Sequence, residues 1–155
     1  MTEQGTRWLN DREMAAWRSY IVGSALLTHR LNRDLQLTHD LSIADYEILV
    51  RLSERPHQRM RMSELANDVA HSKSRTSHQV RRLEAAGLVR RDECPDDGRG
   101  VFAILTEAGA AKLQEAAPSH VASVRENLID ILDEQEQEAL GRIFDRLTTH
   151  LGGIK

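Results

Sequence analysis

The sequence predicts a mainly α-helical fold carrying one small β-hairpin. Three observations point to it. Apolar residues recur at spacings of three and four over most of the 155 residues, which is the period of a buried helix face. Two short β-prone runs, LVRRDE (88–93) and VFAIL (101–105), flank the polar segment CPDDGRG and read as strands joined by a turn of Pro, Asp and Gly. Six cations gather between Ser72 and Arg91 against a single acid, Glu84, in a chain of net charge −3.

The elements follow in order. Met14, Trp17, Ile21, Ser24, Thr28, Leu31 and Leu35 form one stripe, so a first helix is expected from about Asp11 to Gln36, broken by the polar Thr38–Asp40. Ser42 is placed to cap a second helix carrying Ile43, Tyr46, Ile48, Leu49 and Leu52. Pro56 ends it, because a proline disfavours helix at the residue before it. Ser63 is expected to cap a short helix with Leu65, Ala66 and Val69 inward. Ser72 caps the next, from about Lys73 to Ala86, and Gly87 stops it. After the hairpin, Thr106–Gly109 opens a long helix to about Ile131, with a bend expected near Pro118. A last helix carries Leu140, Ile143, Phe144, Leu147 and Leu151 on one stripe. The middle of this series matches a helix-turn-helix followed by a β-wing.

Composition narrows the function. Hydrophobic content of 40% and charged content of 29% fit a soluble globular protein, and aromatics at 4% leave aliphatic side chains to fill the core. The single cysteine, Cys94, excludes an intrachain disulfide and a multi-cysteine zinc site and suits a reducing compartment. No stretch approaches the roughly 20 apolar residues of a membrane span, and the polar N-terminus lacks a signal-peptide core. A cytoplasmic protein is expected. There is no GxxxxGK loop, no GxGxxG after a strand and no GxSxG elbow. No enzyme activity, cofactor or metal is therefore expected. The seven histidines (29, 39, 57, 71, 78, 120 and 150) show no HxxxH or HExxH pairing.

On a helical wheel at about 100° per residue, Thr76, Val80 and Leu83 share one face of the fourth helix. Ser74, Arg75, His78, Arg81 and Arg82 occupy the opposite face. Arginine forks match guanine O6 and N7, and serine and histidine offer single adaptable bonds. Lys73 and Arg75 sit in the first turn, where positive charge opposes the helix dipole by roughly 0.3–1 kcal/mol each; a docked phosphate removes the conflict. A solvated charged face is the plain alternative, and the short helix before it, the Gly87 stop and the hairpin tip with Arg99 argue against that alternative. Arg99 suits the negative potential of a minor groove, with Asp97 placed to orient it. A winged-helix module for protein contacts is a rival reading, and it requires exposed apolar residues where this helix has Arg, Ser and His.

At these residues the chain resembles the MarR family of bacterial transcription regulators. The likeness rests on MSELANDVAHSKSRTSHQVRRLEAAGLVRR (62–91) and DDGRGVFAILTEAG (96–109). Arg91, Asp97, Arg99 and LTEAG (105–109) fall at the family's wing spacing. The resemblance implies a winged helix-turn-helix domain at 41–105, with dimerisation helices at 1–40 and 106–155. It implies a homodimer on a pseudo-palindromic operator in double-stranded DNA, most simply a repressor, released by a small aromatic or phenolic ligand between the two regions. The candidate DNA-contacting set is Ser72, Lys73, Ser74, Arg75, Ser77, His78, Arg81, Arg82, Arg91, Asp97 and Arg99. Trp17, His39 and Tyr46 are candidate effector contacts, with core or dimer interface as the plainer reading of the aromatic residues. Redox sensing through Cys94 is a further alternative. Asp92, Glu93, Asp96 and Asp97 around it disfavour the thiolate, and the family's redox members carry their cysteine near the N-terminus.

Overall fold

The computed structural model describes residues 5–69, 72–93 and 100–152. The hairpin tip, with Cys94, Asp97 and Arg99, lies outside these, so the expectations placed on those three residues have no structural counterpart here. Six α-helices and three strands run in the order α1 (Asp11–His39), α2 (Ile43–Ser53), β1 (Arg59–Arg61), α3 (Met62–Asp68), α4 (Lys73–Ala85), β2 (Val89–Glu93), β3 (Val101–Leu105), α5 (Glu107–Val124) and α6 (Glu134–His150). None of the described helices is long and apolar enough to cross a membrane.

Local chemistry sets most boundaries. Asn10 and Glu13 exchange backbone and side-chain hydrogen bonds at the start of α1, and Ser42 and Asp45 do the same at α2, both as capping boxes. α1 runs three residues past the expected Gln36. It stops where Asp40 turns left-handed (φ 55°) and donates its N–H to Gln36. Ser72 Oγ accepts from Arg75 N at 3.1 Å. Gly87 (φ 78°) closes α4, with its N–H on Glu84 O and that of Leu88 on Leu83 O, the paired bonds of a Schellman end.

Three expectations change. The hairpin gains a third strand, so the sheet has the order β1-β3-β2, all antiparallel. Ser63 does not cap α3. β1 pairs Arg61 with Phe102 and holds Arg61 extended, so the helix starts at Met62 with no side-chain cap and Ser63 falls inside its first turn. The long helix passes Pro118 as α-helix, and its irregularity comes later, as a π-helical turn at Arg125–Ile129.

The core gathers Leu35, Tyr46, Ile48, Leu49, Leu52, Met60, Leu65, Val80, Leu83, Val89, Leu105 and Ala116. α6 contributes no buried residue. Its stripe stays in the open, with Ile143 55% and Leu151 72% exposed, as does Trp17 on α1 at 53%.

Thr106 knots the wing to α5. Its hydroxyl accepts from Gly109 N at 3.0 Å and donates to Gly87 O at 2.7 Å, while its N–H reaches Leu88 O. Gly109 lies so close to this knot that a Cβ there would stand 2.1 Å from Leu88 O.

Candidate nucleic-acid interface

α4 divides as its wheel predicts. Thr76, Val80 and Leu83 are buried, joined by Gln79, while Lys73, Ser74, Arg75, His78, Arg81 and Arg82 are exposed and Ser77 half-buried. Lys73, Ser74, Ser77, His78 and Arg81 border one shallow depression. Arg75 and Arg82, one heptad apart, lie on the flank and line a different groove. That groove, about 730 Å³, also receives Thr28 and Asn32 of α1, Glu47 and Arg51 of α2, Asp68 of α3 and Thr148 of α6, so carboxylates line it as well as guanidiniums.

Arg82 is engaged within the chain. Its Nη2 donates to Asp45 Oδ2 at 2.8 Å, with the Arg82 side chain 57% exposed and that of Asp45 3%. Asp45 Oδ1 accepts from Gln79 Nε2 at 2.8 Å, and Oδ2 also accepts from Ser42 N at 2.9 Å. The buried carboxylate is thus satisfied on both oxygens and pins α4 to the start of α2. Sequence reasoning missed Asp45 and Gln79, although the Ser42-x-x-Asp45 spacing was a usable signal.

Arg91 is braced as well. Its backbone N–H and guanidinium both reach Glu84, at 3.0–3.2 Å. These bonds, first from the side chain and then from the backbone, hold the Glu84 carboxyl below its usual range. They tie β2 to the last turn of α4.

Of the three candidate effector contacts, His39 and Tyr46 meet adjacent residues of α5, and Trp17 lies apart from both. Trp17 stacks on Tyr20 at 6.0 Å, and Tyr20 tilts against Phe144 at 5.8 Å. His39 lies 22 residues further along the same helix, about 33 Å at 1.5 Å per residue, too far to share one small-molecule pocket. His39 Nε2 meets Ser119 Oγ at 2.7 Å, and Tyr46 packs on His120 with ring centroids 4.3 Å apart. None of the three lines the groove beside Arg75 and Arg82. Among the described residues no group of three His, Cys, Asp or Glu is arranged for a metal.

His120 carries a testable pH dependence. Its Nδ1 is buried without a hydrogen-bond partner among the described residues. Burial pushes its pKa down, against the opposing pull of Glu47. The unfolded chain therefore takes up this proton first as pH falls, and the stability tied to neutral His120 is lost below the unfolded value of about 6.5. Between about pH 7.5 and 5.5 the wild-type urea midpoint should fall more than that of His120→Phe. Parallel profiles would contradict the assignment.

Known proteins place this architecture. The MarR family model matches residues 41–101. AbsC, a MarR family transcriptional regulator from Streptomyces coelicolor, is 49% identical over 94% of this chain and 98% of its own, with a TM-score of 0.89. Sco3205, a MarR family regulator from the same organism solved in complex with DNA, is 43% identical over 97% and 94%, with a TM-score of 0.93. The regulator PecS of Dickeya dadantii is 26% identical over 94% of this chain and 90% of its own. With the braced cationic helix, the three-stranded wing and these likenesses together, the chain belongs to the MarR family and is a DNA-binding transcriptional regulator rather than an enzyme.

Proposed function

We propose that the protein is a homodimeric repressor. Residues 41–105 serve as a DNA-reading head, and 1–40 with 106–155 join two subunits. The observation that carries this reading is the exposed arc of α4, where Ser74, Arg75, His78 and Arg81 present donors suited to base edges in the major groove. That arc has no large apolar residue, which counts against a protein-contact module. The open stripes of α1 and α6 support the dimer, since an isologous interface would bury both. Two heads in successive major grooves, about 34 Å apart, then call for a pseudo-palindromic operator. Ser72, Lys73, Ser77 and Arg91 flank the reading arc and join its phosphate contacts.

The groove beside Arg75 and Arg82 is the proposed effector seat. A small aromatic acid there would pair with guanidiniums that otherwise face DNA or Asp45, so that ligand and operator compete for the same side chains.

A gel shift on the chain's own upstream DNA tests the reading. Arg75→Ala and Arg81→Ala should each cost about 1–3 kcal/mol of specific affinity and relax preference at one position. Small aromatic acids should release the wild-type complex. Undiminished affinity in both variants would sink the docking.

A further inference from the structure

Asn32 stands inside α1, about two turns before its end, although asparagine is a poor helix former. Its side chain reaches another element. Oδ1 accepts the backbone N–H of Ile43, 11 positions further on, at 3.0 Å. Ile43 is the first residue of α2, and an N–H in that position has no partner within its own helix. The neighbouring bonds of that turn are made locally, between Ser42 and Asp45.

This bond crosses between the two regions proposed above, the dimerising arm (1–40 and 106–155) and the head (41–105). From the first turn of α2 the connection continues through Asp45 to Gln79 and Arg82 in the middle of α4. A second polar tie lies beyond the far end of α4. Thr106, at the start of α5, donates its hydroxyl to Gly87 O and its N–H to Leu88 O. The reading helix is thus tied to the arm at two places, through α2 and through the Thr106 knot. Between them the contact is largely apolar. Leu35 and Ala116 of the arm share one core with Leu41 and Leu49 of the head, and Tyr46 packs on His120. Apolar burial holds two bodies together without a preferred direction. A hydrogen bond has one, because it weakens steeply with angle. Held by the knot alone, the head is free to pivot about it. α4 has 13 residues, which puts its first turn about 20 Å from the knot at about 1.5 Å per residue. A swing of about 10° carries that turn about 3.5 Å, close to one base-pair step of about 3.4 Å.

We infer that Asn32 limits the swing of the head on the arm and so sets which half-site separations the dimer accepts. It is a positioning residue, acting through α2 and α4. This rests on the homodimer and the docking proposed above.

The test starts from a duplex of the chain's own upstream DNA, with a scrambled duplex of equal length as baseline. One series inserts or deletes one base pair at the centre of pseudo-symmetry, and another substitutes bases inside one half-site. Wild type should hold the lengthened and shortened duplexes more weakly than the parent. Asn32→Ala should shrink that penalty by about three- to tenfold, the net contribution of one hydrogen bond. Base substitutions should cost the variant what they cost wild type. Alanine suits a helix, so the melting temperature should hold. Asn32→Leu, similar in size and without an acceptor, should match alanine. Asn32→Asp keeps an acceptor at the N-terminus of α2, where negative charge is favourable, and should keep the wild-type penalty. A wild-type penalty in both Asn32→Ala and Asn32→Leu overturns the inference, as does an Asn32→Asp variant that behaves like alanine. So does a uniform loss on every duplex, which would make Asn32 a support of the fold or a direct DNA contact. If the wild-type chain does not prefer the upstream duplex to the scrambled one, the docking itself fails. If it prefers the upstream duplex but holds every separation alike, there is no swing to limit and this inference alone fails.

Discussion

Gly109→Ala is expected to destabilise the protein by about 3 kcal/mol, although the same exchange inside an ordinary helix stabilises by roughly 0.5–1 kcal/mol. The reason is one contact. A Cβ at Gly109 would stand 2.1 Å from the Leu88 carbonyl oxygen and 2.7 Å from a Leu105 methyl. The methyl can turn aside. The carbonyl is main chain and already accepts the Thr106 N–H at 3.2 Å. Relief therefore requires the turn after α4 to part from the start of α5, which breaks bonds as well as packing. Overpacking of this kind costs about 1–3 kcal/mol and sometimes more, and the lost knot adds to it. Urea unfolding reads the effect. A variant as stable as wild type would show that the junction yields freely.

Asp45→Ala comes next, at about 2–4 kcal/mol. The substitution removes the Asp45 half of the α2 capping box, the acceptor of the Ser42 N–H, while the Ser42 hydroxyl still caps the N–H of residue 45; that half is worth about 1 kcal/mol. It also takes from the buried Gln79 amide its short bond to the carboxylate and leaves it the longer one to Ser42 Oγ at 3.3 Å, a loss of about 1–3 kcal/mol. The lost pair with Arg82 adds little to stability, since the guanidinium is more than half exposed and water takes over its donors. The larger consequence is for DNA. With its anchor gone, α4 can shift against α2, so specific affinity should fall further than affinity for scrambled duplex. Asp45→Asn, which keeps an acceptor for the cap, should lie between wild type and alanine in unfolding. Equal losses on both duplexes would mean that Asp45 holds the fold without aiming the helix.

Much of this architecture is legible in the chain because its signals are local. Ser42, Ser72 and Thr106 stand where a cap must stand, Gly87 where the chain must turn left-handed, and the apolar residues of α4 repeat at the helical period. Strand β1 lacked such a signal. It is three residues long, follows a turn in which the non-glycine residues His57 and Gln58 both take positive φ, and becomes a strand only because β3 lies beside it. The expected Ser63 cap failed for the same reason. A wheel gives the direction of a side chain but not its partner. It put Arg82 correctly on the outer face without revealing Asp45, 37 positions earlier. Trp17 stands about 33 Å from His39 along α1, while His39 and Tyr46 meet the adjacent Ser119 and His120 of α5, a placement that no local signal carries.

Asp45 fastens the middle of α4 to α2, and Glu84 fastens its last turn to the wing through Arg91. A probe clamped at two points cannot bend to suit a poor sequence. In the proposed dimer, accommodation to DNA then falls to the angle between two stiff jaws, as in a caliper. Changing the gap between half-sites should test the hinge, and changing letters inside a half-site should test the jaw.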